Sequence, residues 1–176
     1  MILKRFFQRF PSPERGCYEA IVAAARHPRL YADWAVPDTL DGRFDMIALH
    51  CFLVLDRLKG AEPVFRQALV DEVFRDMDRS LREMGVGDLS VGKKVRKMAE
   101  VFYGRVAAYD AALAGSDENE LAAAIARNVF PDDPAGPSMP GAQLLAAFVR
   151  GQRTHLAGQT PAAIAAGRID FKEPEP

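Results

Sequence analysis

Three histidines are the side chains of this sequence that come nearest to a catalytic or metal-binding pattern. His50 lies inside an apolar helical stretch, whereas His27 precedes a proline and His155 falls near the end of a later helix. A helical zinc site needs further ligands three or four residues away, and neither HxxxH nor HExxH occurs. We therefore predict that His50 is a hydrogen-bonded residue of the core.

Asp76 and Asp78 resemble a paired-carboxylate or magnesium-binding motif, but arginines surround them. Arg82 follows Asp78 by four residues and Arg75 follows Asp71 by four, which is the order of charges that stabilises a helix. We interpret this stretch as a helix that carries salt bridges. The sequence also contains no GxSxG motif and no glycine-rich phosphate loop. We predict that the protein is not an enzyme and that it holds no cofactor and no metal.

Four basic residues stand close together at the start of the fourth predicted helix: Lys93, Lys94, Arg96 and Lys97. Cations near a helix N-terminus oppose the helix dipole, at a cost of ~0.3–1 kcal/mol each. Stability alone therefore does not account for them. We interpret these four residues as a basic patch for an acidic partner, which is RNA, an anionic membrane lipid or an acidic protein surface. A solvated charged helix face is the alternative.

The first ten residues form a second candidate contact surface. On a helix, Ile2, Leu3, Phe6, Phe7 and Phe10 fall on one side, and basic or polar residues surround the rest. This is the pattern of a short interfacial membrane helix. Its cations favour anionic lipid by ~1 kcal/mol each near the membrane surface. We expect weak membrane contact, and packing of these phenylalanines on the domain is the alternative.

Length and composition indicate one ordinary globular domain. The chain has 176 residues, of which 49% are hydrophobic and 27% charged, and its formal net charge is −1. With a net charge so close to zero, the protein has no overall positive electrostatic potential that would attract DNA, and we expect no DNA partner. No apolar run reaches the ~20 residues of a membrane-spanning helix. The two cysteines are not in a CxxC pattern, so nothing requires an oxidising compartment. Because the N-terminus lacks the pattern of a secretory signal and Ala, Arg and Pro are abundant, we expect an intact bacterial cytoplasmic protein.

Apolar residues recur every three or four positions through most of the chain, and the alternation typical of strands is nearly absent. We therefore predict an all-α, single-domain helical bundle of about six or seven helices. The second helix is apolar on most sides, so we predict that it is the central one. Helices are predicted at residues 14–26, 41–59, 63–84, 91–113, 117–130 and 142–157, with a last short helix after Thr160 and Pro161.

The segments between these helices complete the predicted organisation. Ser90 is the expected N-cap of the fourth helix, and residues 27–40 are expected to form a loop. The Pro/Gly-rich loop is the candidate for a mobile or subdomain-separating linker. The segments are a basic amphipathic N-terminal segment (1–13), a main helical domain (14–130), the Pro/Gly-rich loop (131–141), C-terminal helices (142–170) and a flexible tail (171–176).

Several words of the sequence are long enough to carry a resemblance. VPDT and DGRFDM are followed by DMDRSLREMGVGD and FYGR, between about Tyr18 and Asn128. In order and spacing they resemble the ubiquinol–cytochrome c chaperone family, assembly factors for the respiratory ubiquinol–cytochrome c reductase. The resemblance implies a non-enzymatic assembly chaperone that binds newly made cytochrome b. It also implies that residues 14–130 are the chaperone domain, that a small partner protein and the ribosome are further partners, and that the protein is peripheral on the inner membrane.

Nine charged residues lie in these words, and we take them as candidate partner-binding residues: Asp38, Asp41, Arg43, Asp45, Asp76, Asp78, Arg82, Glu83 and Asp88. We expect some to line a groove for the client or partner and others to form buried ion pairs between helices. Because the loss of one member of a buried pair is strongly destabilising, we expect variants at Asp78 or Arg82 to unfold. The alternative function is a lipid or small hydrophobic ligand carrier, with a pocket among the central helices.

Overall fold

A computed structural model describes residues 11–117 and 119–175 of the chain. These residues form α-helices and one short 3-10 helix, with no β-strand among them, so the predicted all-α fold is confirmed. The predicted membrane-contact residues of the N-terminal segment lie outside the described residues. The helices are α1 (Pro13–Ala25), α2 (Pro28–Ala32), α3 (Leu40–Arg57), α4 (Pro63–Glu83), α5 (Asp88–Ala114), α6 (Asn119–Val129), α7 (Pro140–Ala157) and α8 (Pro161–Ala165).

Helix α3 is the central helix of the bundle, as the sequence predicts. Every residue from Phe44 to Leu55 is buried, and the helix contacts α1, α5, α6 and α7. Thr39 caps its start, since its hydroxyl oxygen accepts a hydrogen bond from the Gly42 backbone N–H at 3.1 Å. Near its end, Arg57 donates to the backbone carbonyl of Gln159 at 2.6 Å. Both ends of α3 are therefore held in place.

Helices α4 and α5 form a hairpin whose turn differs from the prediction. Gly85 takes the left-handed conformation with φ of 81°, which glycine adopts without steric cost. Helix α5 then begins at Asp88, with Gly87 rather than Ser90 at the N-cap. Asp88 occupies the first turn, so the four basic residues begin about one turn later. The helix dipole acts mainly on charges within the first turn, so it destabilises these four cations little. Their position is therefore not by itself evidence that the basic patch binds a partner.

Residues 28–32, predicted as loop, form the short helix α2. His27 caps it, because its Nδ1 accepts a hydrogen bond from the Arg29 backbone N–H at 3.3 Å. Pro28 occupies the first helical position, where its missing N–H costs nothing. Five residues are too few to show a helical period in the sequence. This is why the pattern of apolar residues did not predict α2.

The Pro/Gly-rich loop does not separate two subdomains. A 3-10 helix forms at Gly136–Ser138, and α7 begins directly after it at Pro140. Leu145 and Val149 of α7 belong to the same buried core as α3. The C-terminal helices and the main helical domain therefore share one core.

The C-terminal tail, predicted to be flexible, is held against α7 and α2. Gln152 of α7 donates to the carbonyl oxygen of Lys172 at 2.5 Å and accepts from its N–H at 3.1 Å. Arg29 donates to the carbonyl oxygen of Pro174 at 2.7 Å. Gln152 is itself buried. These contacts were not predictable from the sequence, because a glutamine in a helix does not reveal that it binds a distant backbone segment.

Candidate functional site

An open groove of about 630 Å³ lies between the start of α3, the middle of α5 and the end of α6. We call it the α3–α5 groove. Its volume falls within the ~300–1,000 Å³ typical of ligand sites. Apolar side chains form most of its wall, among them Leu40, Phe44, Leu81, Met98, Val101 and Val129. Charged side chains lie along its rim and floor: Asp41, Asp45, Lys94, Lys97, Arg105 and Asp132.

The groove brings together residues of the DGRFDM and FYGR words with residues of the basic patch. Asp41 and Asp45 belong to DGRFDM on α3 and are one helical turn apart. Lys94 and Lys97 of the basic patch line the groove from α5, as does Arg105 of FYGR. Positions 94, 97, 101 and 105 recur every three or four residues and so share one face of α5. Two of the predicted partner-binding residues and half of the basic patch therefore form one site.

Gly42 sets the near edge of the groove. The chain that enters α3 crosses so close to this helix that a Cβ atom at Gly42 would lie 2.0 Å from the Pro37 carbonyl oxygen. A side chain there would push the two backbone segments apart. Both residues line the groove, so the glycine of DGRFDM determines where its edge lies.

The floor of the groove carries a buried ion pair between α3 and α5. Nη2 of Arg105 lies 2.5 Å from Oδ1 of Asp45, and the two side chains are 13% and 5% exposed. Nη2 also donates to the carbonyl oxygen of Asn128 at 3.4 Å. The Arg105 guanidinium therefore faces Asp45 Oδ1 directly, and among the described residues Nε and Nη1 of Arg105 have no hydrogen-bond acceptor.

The environment of this pair shifts the protonation of Asp45. Burial raises the pKa of Asp45 to about 7, because the carboxylate loses its hydration, although the charge of Arg105 opposes this effect. Burial also raises the pKa of the neighbouring Tyr109 hydroxyl. A carboxyl group in a groove whose pKa is shifted by burial and by a specific charged partner is a candidate functional residue.

Three other predicted partner-binding residues lie away from the groove floor. Asp38 and Arg43 form a surface pair, with 2.7 Å between Oδ1 and Nε and more than half of each side chain exposed. Asp76 is mostly buried and accepts a hydrogen bond from the Tyr18 hydroxyl at 2.8 Å, which links α4 to α1. Asp76 also pairs with Arg79. These contacts give Asp76 a structural role.

The last four predicted partner-binding residues lie at the exposed end of the α4–α5 hairpin: Asp78, Arg82, Glu83 and Asp88. Nε of Arg82 lies 2.6 Å from Oδ2 of Asp78, and Arg82 also contacts Asp88. More than a third of each of these side chains is exposed. The expectation of a buried pair at this position is therefore wrong. Met84 and Leu89 are exposed at the same end, and we call these six residues the hairpin end.

The basic patch is divided because its four residues lie on different faces of α5. All four of its side chains are exposed, but only Lys94 and Lys97 line the groove. Nζ of Lys97 lies 3.2 Å from an Oε2 of Glu100. Lys93 and Arg96 thus offer a second pair of cations on the same helix but outside the groove.

Two structurally important charged residues were missed by the sequence analysis. Arg105 lies in the FYGR word, but nothing in the sequence marked it as the partner of Asp45, sixty positions earlier. Glu72 is buried in α4, where it accepts a hydrogen bond from Arg15 of α1 at 2.7 Å. The sequence does contain a hint of this second pair, because Glu72 lies beside Leu69 and Val73 on the apolar face of α4.

His50 is a core residue, as predicted. Its Nδ1 lies 2.8 Å from the Met46 carbonyl oxygen, and since a carbonyl only accepts, Nδ1 carries the proton. The ring packs edge-on against Phe171, with 5.5 Å between centroids. Burial lowers the pKa of His50 to about 4. The imidazole is therefore neutral at physiological pH.

None of the helices within residues 11–117 and 119–175 combines the length and the apolar character needed to cross a bilayer.

The chain is similar to several known proteins. It is 28% identical over 141 residues to ubiquinol-cytochrome-c reductase complex assembly factor 1 of Xenopus laevis, with 77% of this chain and 68% of that protein covered. It is 27% identical to the Mus musculus protein of the same name, with 79% and 47% covered, so the chain spans about half the length of this relative.

A solved structure and a family model extend this similarity to most of the fold. The crystal structure of the Cbp3 homolog from Brucella abortus is 46% identical, with a TM-score of 0.81 and with 92% of this chain and 89% of that chain covered. The family model for the ubiquinol-cytochrome C chaperone matches residues 32–171. The match continues beyond Asn128 through α7 and α8, farther than the sequence words indicated. The chain belongs to the ubiquinol–cytochrome C chaperone family.

Proposed function

We propose that this protein is a non-enzymatic assembly chaperone for the ubiquinol–cytochrome c reductase, and that it binds newly made cytochrome b in the α3–α5 groove. Family membership supports the assembly role. The observation that carries the choice of site is the groove itself, an open and largely apolar surface with charges at its rim.

The chemistry of the groove suits an apolar segment of a membrane protein. Such a segment gains roughly 25 cal/mol for each Å² of apolar surface that it buries against the groove wall. Leu40, at the rim, is 55% exposed and is available for this contact. The rim charges Asp41, Lys94 and Lys97 select the orientation of the client, and their reversal would place like charges opposite each other and weaken binding.

Two further surfaces are proposed for other partners. The hairpin end combines exposed Met84 and Leu89 with charged neighbours, a composition that suits a small partner protein. Lys93 and Arg96, which do not line the groove, are available to an anionic membrane lipid or to the ribosome. We propose that the protein acts in the cytoplasm, peripherally at the inner membrane, and that the N-terminal segment contributes to this contact.

Affinity purification of the tagged protein from a respiring native host, in mild detergent, tests the proposed function. The double variant Lys94→Glu/Lys97→Glu reverses the rim charges, and Lys59→Glu/Arg168→Glu makes the same change in charge at exposed positions outside the groove. We expect cytochrome b to be enriched with the wild type and with the second variant, and to fall about tenfold with the first, which corresponds to ~1.4 kcal/mol. Equal enrichment with both variants would remove the groove from the proposal, and no enrichment with the wild type would remove cytochrome b.

A further inference from the structure

Residues 169–174, which we call the tail segment, carry the hydrogen-bond pattern of a strand. Gln159 of α7 donates to the Asp170 carbonyl oxygen at 2.7 Å and accepts from the Asp170 N–H at 3.0 Å. Gln152 forms the same two bonds with Lys172. A residue that exchanges both of its backbone bonds with one partner, at every second position, is typical of an extended strand. The two glutamines therefore take the place of a neighbouring strand.

The opposite edge of the tail segment is unpaired. In an extended chain, successive residues direct their backbone N–H and C=O groups to opposite edges, so those of Phe171 and Glu173 face away from the glutamines. Within the part of the chain that the structure describes, the backbone of neither residue forms a hydrogen bond. A row of free N–H and C=O groups is a template for pairing with another strand.

A groove borders the tail segment on the side of α1. It is open, has a volume of about 300 Å³, and is lined by all six residues from 169 to 174, a length of about 20 Å in an extended chain. Ala20, Ala23 and Ala24 of α1 form the opposite wall, and their small side chains leave room for a second backbone. We call this the tail groove. It shares no lining residue with the α3–α5 groove.

The charges beside the tail groove indicate the sign of a complementary side chain. Asp170 lies 3.0 Å from Nε2 of His155, and Lys172 pairs with Glu175 at 2.9 Å. Glu173 is exposed and forms no ion pair among the described residues. The unpaired charge beside the free edge is therefore negative, and a basic side chain complements it.

We propose that the tail groove binds an extended segment of a partner protein, which pairs as a second strand with the backbone of Phe171 and Glu173 and places a basic side chain near Glu173. In this mode of recognition, main-chain hydrogen bonds supply the affinity and the side chains supply the specificity. Because the two grooves are separate, the partner and a client in the α3–α5 groove do not exclude each other. The site is testable on the purified chain without cytochrome b.

Titration of the purified full chain with the end-blocked hexapeptide KTVTVK, followed by NMR of the backbone amides, tests the proposal. We expect the amide protons of Phe171 and Glu173 to move downfield as they form hydrogen bonds, and those of Asp170 and Lys172, which are already bonded, to move less. The matched peptide carries methyl groups on the backbone nitrogens of its threonines and valines, so it keeps the side chains and loses the donors. It should bind at least about tenfold more weakly, a difference of ~1.4 kcal/mol. Equal binding of both peptides, or no shift at positions 171 and 173, would overturn the strand pairing.

Variants locate the peptide in the tail groove. Ala23→Trp fills the groove, whereas Ala107→Trp places the same side chain at an exposed position of α5 outside it. We expect the first to abolish binding and the second to preserve it, in variants whose thermal melting matches the wild type. Glu173→Gln should weaken the binding of KTVTVK and leave that of the uncharged peptide STVTVS unchanged. Binding that survives Ala23→Trp would contradict the proposed site, and this failure would leave the purification of cytochrome b unaffected as a separate test.

Discussion

Nη2 of Arg105 lies 2.5 Å from Oδ1 of Asp45, and this contact joins the middle of α5 to the first turns of α3 beneath the α3–α5 groove. The two side chains are almost fully buried, so each charge depends on the other. The pair therefore links the stability of the bundle to the geometry of the groove.

Truncation of this pair should destabilise the protein. Removing one member leaves a buried charge without its partner, so we expect Arg105→Ala to lower the free energy of unfolding by about 3–5 kcal/mol. Urea denaturation at pH 8 measures the loss. The matched control is Arg82→Ala at the exposed hairpin end, which should leave the midpoint nearly unchanged. A similar midpoint for both variants would mean that the buried pair does not hold α3 to α5.

The α3–α5 groove shows where prediction from sequence succeeds and where it ends. The apolar residues of α3 are dense enough to identify the central helix, and the DGRFDM and basic-patch residues were recognised as candidates. Their meeting in one groove depends on packing between helices some fifty residues apart, which no local pattern records. The error at Asp78 and Arg82 has the same origin, because spacing predicts an ion pair but not its burial.

His50 should make the stability of the protein depend on pH. In the unfolded chain its pKa is near 6.5, whereas burial lowers the pKa to about 4 in the folded protein. Between these values the unfolded state holds a proton that the folded state lacks, so His50 lowers stability as the pH falls from 6.5 to 4. The full effect is roughly 3 kcal/mol.

The variant His50→Leu isolates this effect. We expect its stability relative to the wild type to improve progressively between pH 6.5 and pH 4, as measured by urea unfolding of both proteins at several pH values. The difference between the proteins is the relevant quantity, because Asp45 acts in the opposite direction: its raised pKa favours the folded state as the pH falls below about 7. A difference that is constant with pH would contradict the neutral, buried imidazole.

Gly42 should tolerate no side chain. A Cβ atom at Gly42 would meet the Pro37 carbonyl oxygen at 2.0 Å, so we expect Gly42→Ala to destabilise the protein by about 1–3 kcal/mol. Gly104 provides the control, since it lies inside α5 with nothing within 4 Å of an added Cβ atom. There, alanine should stabilise by about 0.5–1 kcal/mol. Thermal melts measure both changes, and stabilisation by Gly42→Ala would show that the edge of the groove is not held by this close approach.

Site-specific photo-crosslinking in the respiring native host tests the central claim most directly. A photoreactive amino acid at Leu40, on the rim of the α3–α5 groove, is compared with one at Val64, which is 83% exposed at the start of α4 and does not line the groove. We expect a crosslink to newly made cytochrome b from position 40 and none from position 64. Crosslinks from position 64 alone, or equal crosslinks from both positions, would contradict the groove as the client-binding site.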